Sequence, residues 1–247
     1  MPIVDKDTGT RVDEIAPDIF RINTPLSHIP GGFSYNQYLL RDDAPMLFHT
    51  GPRKLFASSA KAVATVLPLA SLRYIGLSHY EADECGALNQ FLAAAPQAVP
   101  VCSKIAAMVA IGDQADREPK PMLHGETIAL GRKTVAWVDA PHLPHGWECG
   151  YLFEQTGRTL FCGDLFTQPG IGEVPLTTSD ILGPSEAFRH RFDYFSHTRD
   201  LPVLIERLAS LKPATLACMH GSAWQGDGGA LIRALGKSLA VEAKPAA

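Results

Sequence analysis

The 247-residue chain has no cluster of Lys and Arg: 22 basic residues are scattered against 26 acidic ones, for a formal net charge of −4. Proteins that bind nucleic acid or anionic membrane carry a basic patch as their electrostatic footprint, so neither partner is expected. No stretch approaches the roughly 20 apolar residues that span a bilayer. The opening M-P-I-V-D-K-D-T-G-T has no apolar h-region, and a cytoplasmic location without membrane attachment is the expectation. Cys85, Cys102, Cys149, Cys162 and Cys218 are odd in number, widely scattered and form no C-x-x-C pair. That pattern fits neither a disulfide framework nor a zinc ribbon and leaves buried, reduced thiols. A repeat of fixed period is missing as well.

What is there is an ordinary globular composition, 46% hydrophobic and 19% charged, enough for a sizeable core and a folded chain. Residues 1–247 are expected to form one domain, since no linker divides them. Apolar and polar residues alternate from Arg11 to Leu40, as half-buried antiparallel strands do. P-M-L-F-H-T-G-P reads as a buried strand, Lys54 to Leu67 has helical spacing, and L-R-Y-I-G-L-S is a further strand. Ala82 to Ala95 reads as one helix, A-V-P-V-C as a strand, Lys104 to Ile111 as a short helix and Asp113 to Pro121 as a polar loop. Two hairpins follow, turning at Gly131 and near Gly157, then helices at about 186–196 and 200–211, the strand A-T-L-A-C-M and a last helix from about Gly228 to Leu239. Thr167 to Pro184 lacks periodicity and reads as a long surface loop. Hairpin strands followed by helices in each half predict an α/β fold of two packed mixed sheets covered by helices, a four-layer αββα sandwich.

Ligand-type residues recur at the ends of these strands. L-S-H-Y-E-A-D-E places His79, Glu81, Asp83 and Glu84 within six positions, and later segments carry His142 and His145, then Asp164, then His220. Singly, each is a hydrogen-bonded turn residue, and Asp83 and Glu84 complement the start of a helix by charge alone. Together they occupy the same strand-to-loop position in four separate segments. Such side chains converge at the rim of a sheet, which points to a bound metal pair.

This pattern resembles the metallo-β-lactamase superfamily, whose H-x-H-x-D-H motif is followed downstream by His, Asp and His. With Glu81 at the second motif position the chain is similar to the branch of flavodiiron proteins and stand-alone oxygen-binding diiron proteins, which carries H-x-E-x-D-H. Y-N-Q-Y-L-L, G-D-L-F and H-G-S resemble further segments of that branch. The resemblance implies the metallo-β-lactamase-like sandwich, with His79, Glu81 and His145 on one metal, Asp83 and His220 on the other, and Asp164 bridging; Asp164 and Glu81 are the candidate catalytic residues. Glu84 departs from the branch, which has His there, and is either a carboxylate ligand of the second metal or withdrawn from it. His142 competes with His145, but His145 has the family spacing to Cys149 and Gly150.

Three imidazoles against four carboxylates make a harder site than the largely imidazole sites of zinc hydrolases. Two iron ions are therefore expected, with zinc or manganese as substitutes. The function that follows is binding, sensing or reduction of dioxygen or NO with electrons from a separate redox partner protein, because no Gly/Ser/Thr-rich phosphate loop of a fused flavodoxin-like domain is seen. The alternative is a dinuclear hydrolase in which a metal-bridging hydroxide attacks an ester, thioester or lactone. Tyr80 and Trp147 are expected to wall the pocket or pack, and His49 to support the site by a hydrogen bond. His28 and His124 read as loop residues, and His190 and His197 as helical surface or interface positions. Phe188, Phe192, Tyr194 and Phe195 could supply a homodimer interface or lie in the core.

Overall fold

The alternation read between Arg11 and Leu40 becomes a meander. In the computed structural model, which describes residues 3–242, β1 (Ile3–Asp5), β2 (Thr10–Ala16), β3 (Ile19–Pro25), β4 (Ser34–Leu40) and β5 (Met46–Phe48) pair antiparallel in chain order. Helical crossovers then return the chain to the same end of the sheet, and parallel pairing follows. α1 (Phe56–Ala64) leads to β6 (Tyr74–Gly76), α2 (Ala82–Cys85) and α3 (Leu88–Ala94) lead to β7 (Val99–Ser103), and α4 (Lys104–Val109) and α5 (Ile111–Gln114) lead to β8 (Lys120–Met122).

A second sheet begins with the antiparallel run β9 (Thr127–Ala129), β10 (Thr134–Asp139), β11 (Gly150–Glu154) and β12 (Thr159–Phe161). The chain then passes through β13 (Leu176–Thr177), α6 (Leu182–Phe192) and α7 (Leu201–Ala209) to β14 (Thr215–Ala217), parallel to β12. β15 (Ala223–Gln225) closes back on β14 and accepts β13 at its outer side, before α8 (Gly228–Glu242). Both sheets are mixed, the first of eight strands and the second of seven.

Three apolar cores define four layers. Leu40, Met46 and Phe48 of the first sheet meet Val135, Trp137 and Phe161 of the second in the central core. Because side chains alternate along a strand, Leu39 and Leu47 point the other way, onto Val63 of α1 and Phe91 of α3. Likewise Val138 and Leu160 face Leu204 and Leu208 of α7 and Ile232 of α8. The expected αββα sandwich is thus observed. Its centre is tight: a Cβ at Gly150 would overlap the indole of Trp137, which is fully buried. Truncating that indole to alanine would cost about 3–5 kcal/mol.

Several boundaries differ from the sequence pattern. The helix expected over 82–95 is broken into α2 and α3, because the Ala87 amide leaves the helical ladder to bond the Gly51 carbonyl at 3.0 Å. The polar loop expected over 113–121 contains the end of α5 and the start of β8. The segment 167–184 is not simply an exposed loop: Thr167 and Gln168 are buried, and Leu176 and Thr177 pair with β15. The helix expected from about 186 begins at Leu182 and ends at Phe192, so His197 lies outside it. All five cysteines are free and buried. Among the described residues no helix is long and apolar enough to cross a membrane.

Candidate metal centre

The two sheets present their strand ends to one rim, and seven ligand-type side chains collect there. His79 follows β6, Glu81 precedes α2, Asp83 and Glu84 lie within α2, His145 lies between β10 and β11, Asp164 follows β12 and His220 follows β14. They divide into two groups whose donor atoms lie within 4.8 Å of one another: His79, Glu81, His145 and Asp164 in one, and Asp83, Glu84 and His220 in the other. His142 is exposed and stands apart from both.

In the first group the His79 and His145 Nε2 atoms are 3.0 Å apart, and His145 Nε2 is 3.1 Å from Glu81 Oε1. Asp164 reaches both groups. Its Oδ2 is 3.5 Å from His79 Nε2 and 3.4 Å from His145 Nε2, while Oδ1 is 3.2 Å from His220 Nε2. His220 Nε2 is 3.5 Å from Asp83 Oδ2. Glu84, fully buried, places Oε2 3.9 Å from His79 Nε2.

Hydrogen bonds on the far side of each ring fix which nitrogen faces inward. His145 Nδ1 donates to the Tyr194 carbonyl at 3.0 Å and His220 Nδ1 to the Ser34 carbonyl at 2.9 Å. A carbonyl can only accept, so each neutral ring turns its Nε2 lone pair to the site. His79 Nδ1 contacts Ser78 Oγ at 2.8 Å, and Ser78 Oγ contacts His49 Nε2 at 2.8 Å. His49, expected to play a supporting part, therefore reaches His79 through a hydroxyl. The Ser78 link is a two-step contact that no single-residue pattern could have disclosed.

The Y-N-Q-Y segment has a physical role in holding the His220 loop. The Asn36 amide nitrogen donates to the carbonyls of Cys218 and Gly221, both at 2.9 Å, and Tyr38 Oη donates to the Cys218 carbonyl at 2.6 Å. Arg21, fully buried, adds a 2.8 Å bond to the Gly221 carbonyl. Gly221 has φ of +85°, a conformation costly for any residue with a Cβ, and this turns the chain directly after His220.

The carboxylates and imidazoles of the cluster shift one another's titration. Burial would raise Asp164, yet the rings of His145, His220 and His79, wherever they carry a second proton, outweigh it and hold that carboxyl well below the usual range. Hydrogen bonds from His145 and His79 lower Glu81 to about 2. Burial works against the charge on His145, but Asp164 and Glu81 raise it to about 9. Glu84 moves oppositely: burial first and the Asp164 charge second push its carboxyl well above the ordinary value. Both Glu84 oxygens and Asp164 Oδ1 are buried without a hydrogen-bond partner. Orphaned carboxylate oxygens facing inward lone pairs are satisfied by cations, so the residues present fit a pair of metal ions.

Six of the seven side chains, all but Glu84, line an open pocket of about 480 Å³. Phe33 stacks on His220, and Phe188 stacks on Phe33 with centroids 5.7 Å apart. Phe188 and Tyr194 thus belong to the pocket wall, whereas Phe192 is exposed and Phe195 packs against the second sheet's helical core. Tyr80 also lines the pocket, and its amide is held at 3.0 Å by Oε1 of buried Glu148. Trp147 is exposed and lines a neighbouring groove instead. His28, His124, His190 and His197 are exposed. Phe33, Ser34, Ser78 and Glu148 carry no signal along the chain, because their roles arise from contacts across the two sheets.

Fold and site define a metallo-β-lactamase-like protein with a two-group carboxylate and histidine centre. Residues 33–221 match the family described as ODP family beta lactamase, and the chain belongs to that family. An anaerobic nitric oxide reductase flavorubredoxin of Salmonella arizonae is 27% identical over 205 residues, 78% of this chain and 42% of that protein. The chain thus spans about two fifths of that relative's length. Among solved structures, the rubredoxin oxygen:oxidoreductase of Desulfovibrio gigas is similar with a TM-score of 0.82 and 20% identity, over 96% of this chain and 63% of that one. A mutant flavo di-iron protein of Thermotoga maritima gives a TM-score of 0.78 and 20% identity, over 91% of this chain and 60% of that one. These two likenesses establish the metallo-β-lactamase-like fold shared with flavodiiron proteins.

Proposed function

We propose that the chain holds a non-haem diiron centre and uses it to bind or reduce dioxygen or NO, with electrons delivered by a separate redox partner. The reading rests chiefly on Asp164, whose two oxygens face different groups of ligand atoms, as a bridging carboxylate does. His79, Glu81 and His145 would hold one metal, and Asp83, Glu84 and His220 the other. Four carboxylates balance the charge of two divalent ions and favour a hard, oxidisable metal over zinc. The names of the relatives support the same chemistry, since one is a nitric oxide reductase, one an oxygen oxidoreductase and one a di-iron protein.

Iron bound there would supply the one-electron redox chemistry that dioxygen or NO requires, replenished by electrons from the partner. The chain's own residues do the rest. Phe33, Phe188 and Tyr194 make one wall of the pocket largely apolar, while Glu81, half exposed, reaches solvent. The tautomers fixed by Tyr194 and Ser34 keep the imidazoles aimed without rearrangement.

The test is anaerobic reconstitution with ferrous iron. About two irons per chain are expected, with a visible spectrum that changes on adding dithionite and then air, and consumption of dioxygen or NO when a reductant is supplied. Two tightly held zincs, no oxygen-dependent spectrum and saturable thioester or lactone hydrolysis lost in Asp164→Asn would overturn the reading in favour of a hydrolase.

A further inference from the structure

The two groups of ligands are chemically unequal. The first offers two imidazole nitrogens, from His79 and His145, with Glu81 and the near oxygen of Asp164. The second offers one, from His220, with Asp83, Glu84 and the far oxygen of Asp164. Glu84 creates most of this difference. It is wholly buried, neither of its oxygens has a partner, and its group includes Asp83 and His220. A histidine at this place would give each position two nitrogens; the carboxylate instead leaves three oxygen ligands and a greater negative charge at the second.

Affinity for divalent ions rises from manganese to zinc at any N/O site, but the rise is steeper where nitrogen donors dominate. Oxygen donors suit manganese and oxidised iron, whereas imidazole suits zinc. We infer that the two positions select different metals, the second being a hard, oxygen-rich site that accepts manganese or iron while the first retains the borderline ions. The centre is then able to load as a mixed-metal pair, and Glu84 is the selectivity-determining residue. This rests on the dinuclear reading above.

Metal-free protein equilibrated with two equivalents of zinc, enough to fill both positions, and a large excess of manganese provides the test, read by native mass spectrometry and by elemental analysis after removing loose metal. The expected dominant species carries one zinc and one manganese per chain. In Glu84→His the manganese occupancy should fall by about tenfold, because zinc now competes at both positions. Glu84→Gln, which keeps the side chain's shape and removes its charge, should lower manganese occupancy while leaving the zinc in place, and serves if the histidine variant does not fold. A His145→Gln chain should lose zinc before manganese. The inference is overturned if the unmodified protein gives di-zinc and di-manganese chains without the mixed species, or if the mixed species persists unchanged in both Glu84 variants. Retention of neither metal by the unmodified protein would instead bring down the dinuclear reading itself.

Discussion

Phe33 stacks on the imidazole of His220, with ring centroids 4.4 Å apart and planes inclined by 27°. The ring is thereby held on one face by Phe33 and at Nδ1 by the Ser34 carbonyl. Consecutive residues of one chain segment thus fix a side chain of the cluster that lies far along the sequence. Aromatic pairs of this kind contribute about 0.5–1.5 kcal/mol beyond burial. Phe33→Ala should therefore weaken metal at the His220 position by up to about tenfold while leaving the His145 position intact. Stepwise metal release to a chelator, followed by elemental analysis, checks this: loss should be biphasic, with only the faster phase accelerated.

Ser78 supplies the second prediction. Its hydroxyl bridges His79 Nδ1 and His49 Nε2, both at 2.8 Å, with all three side chains buried. Removing the hydroxyl leaves two ring nitrogens facing each other without a partner. Outer contacts of this kind are worth about 10- to 100-fold in metal affinity. Ser78→Ala should lower affinity by that order, whereas Ser78→Thr should retain most of it provided its hydroxyl keeps the same direction. Competition against a chromophoric chelator gives the comparison directly.

Much of this cluster is legible along the chain because side chains able to hold a metal are drawn from few residue types and follow strands. His79, Glu81, Asp83, Glu84, His145, Asp164 and His220, expected from their position after strand-like runs, are brought within one rim. The hairpins and the layer order are legible for the same reason: alternation and apolar runs report which faces are buried. What supports these side chains is legible only in part: His49 is expected in a supporting role and reaches His79 through Ser78, but the remaining contacts are not. Asn36 earns its place by bonding two carbonyls beside His220, and nothing local to Asn36 encodes that partner. The short strands β1, β8, β13 and β15 also escape notice, since two or three residues carry no periodicity and pairing is decided by the neighbouring strand. The break between α2 and α3 is set by the Gly51 carbonyl on another loop, a tertiary contact that overrides helical spacing.

Glu84 predicts a trade between binding and stability. Its carboxyl is buried and pushed well upward by burial and by Asp164, so without a cation it opposes folding at neutral pH. Glu84→Gln should leave the chelator-treated protein as stable as the unmodified one or stabilise it by about 1–3 kcal/mol, the scale of an unmet buried polar group. With metal added the order should reverse. Thermal unfolding with and without chelator measures both, and a loss of stability of the same size under the two conditions would remove Glu84 from the metal site.

The last prediction concerns α6, which carries Phe188 to the pocket wall. Glu186 on this helix accepts from Arg189 Nε at 3.0 Å and Nη2 at 2.8 Å, and from Ser238 of α8. Burial raises its carboxyl, but the bonds from Arg189 and then Ser238 outweigh that, so its value in the folded chain is lowered. A carboxyl lowered by folding adds stability above its unfolded value of about 4.5, and that stability disappears as the pH falls through the lower folded value. The side chain keeps 13% of its surface exposed and its main partner lies one turn along the same helix, an i,i+3 pairing worth under about 1 kcal/mol. Glu186→Gln should thus reduce the melting temperature slightly at pH 7, and the difference from the unmodified chain should close as the pH is taken below about 4. A gap that stays constant with pH would mean that shape rather than charge ties α6 to α8, and that the pocket wall is held by packing alone.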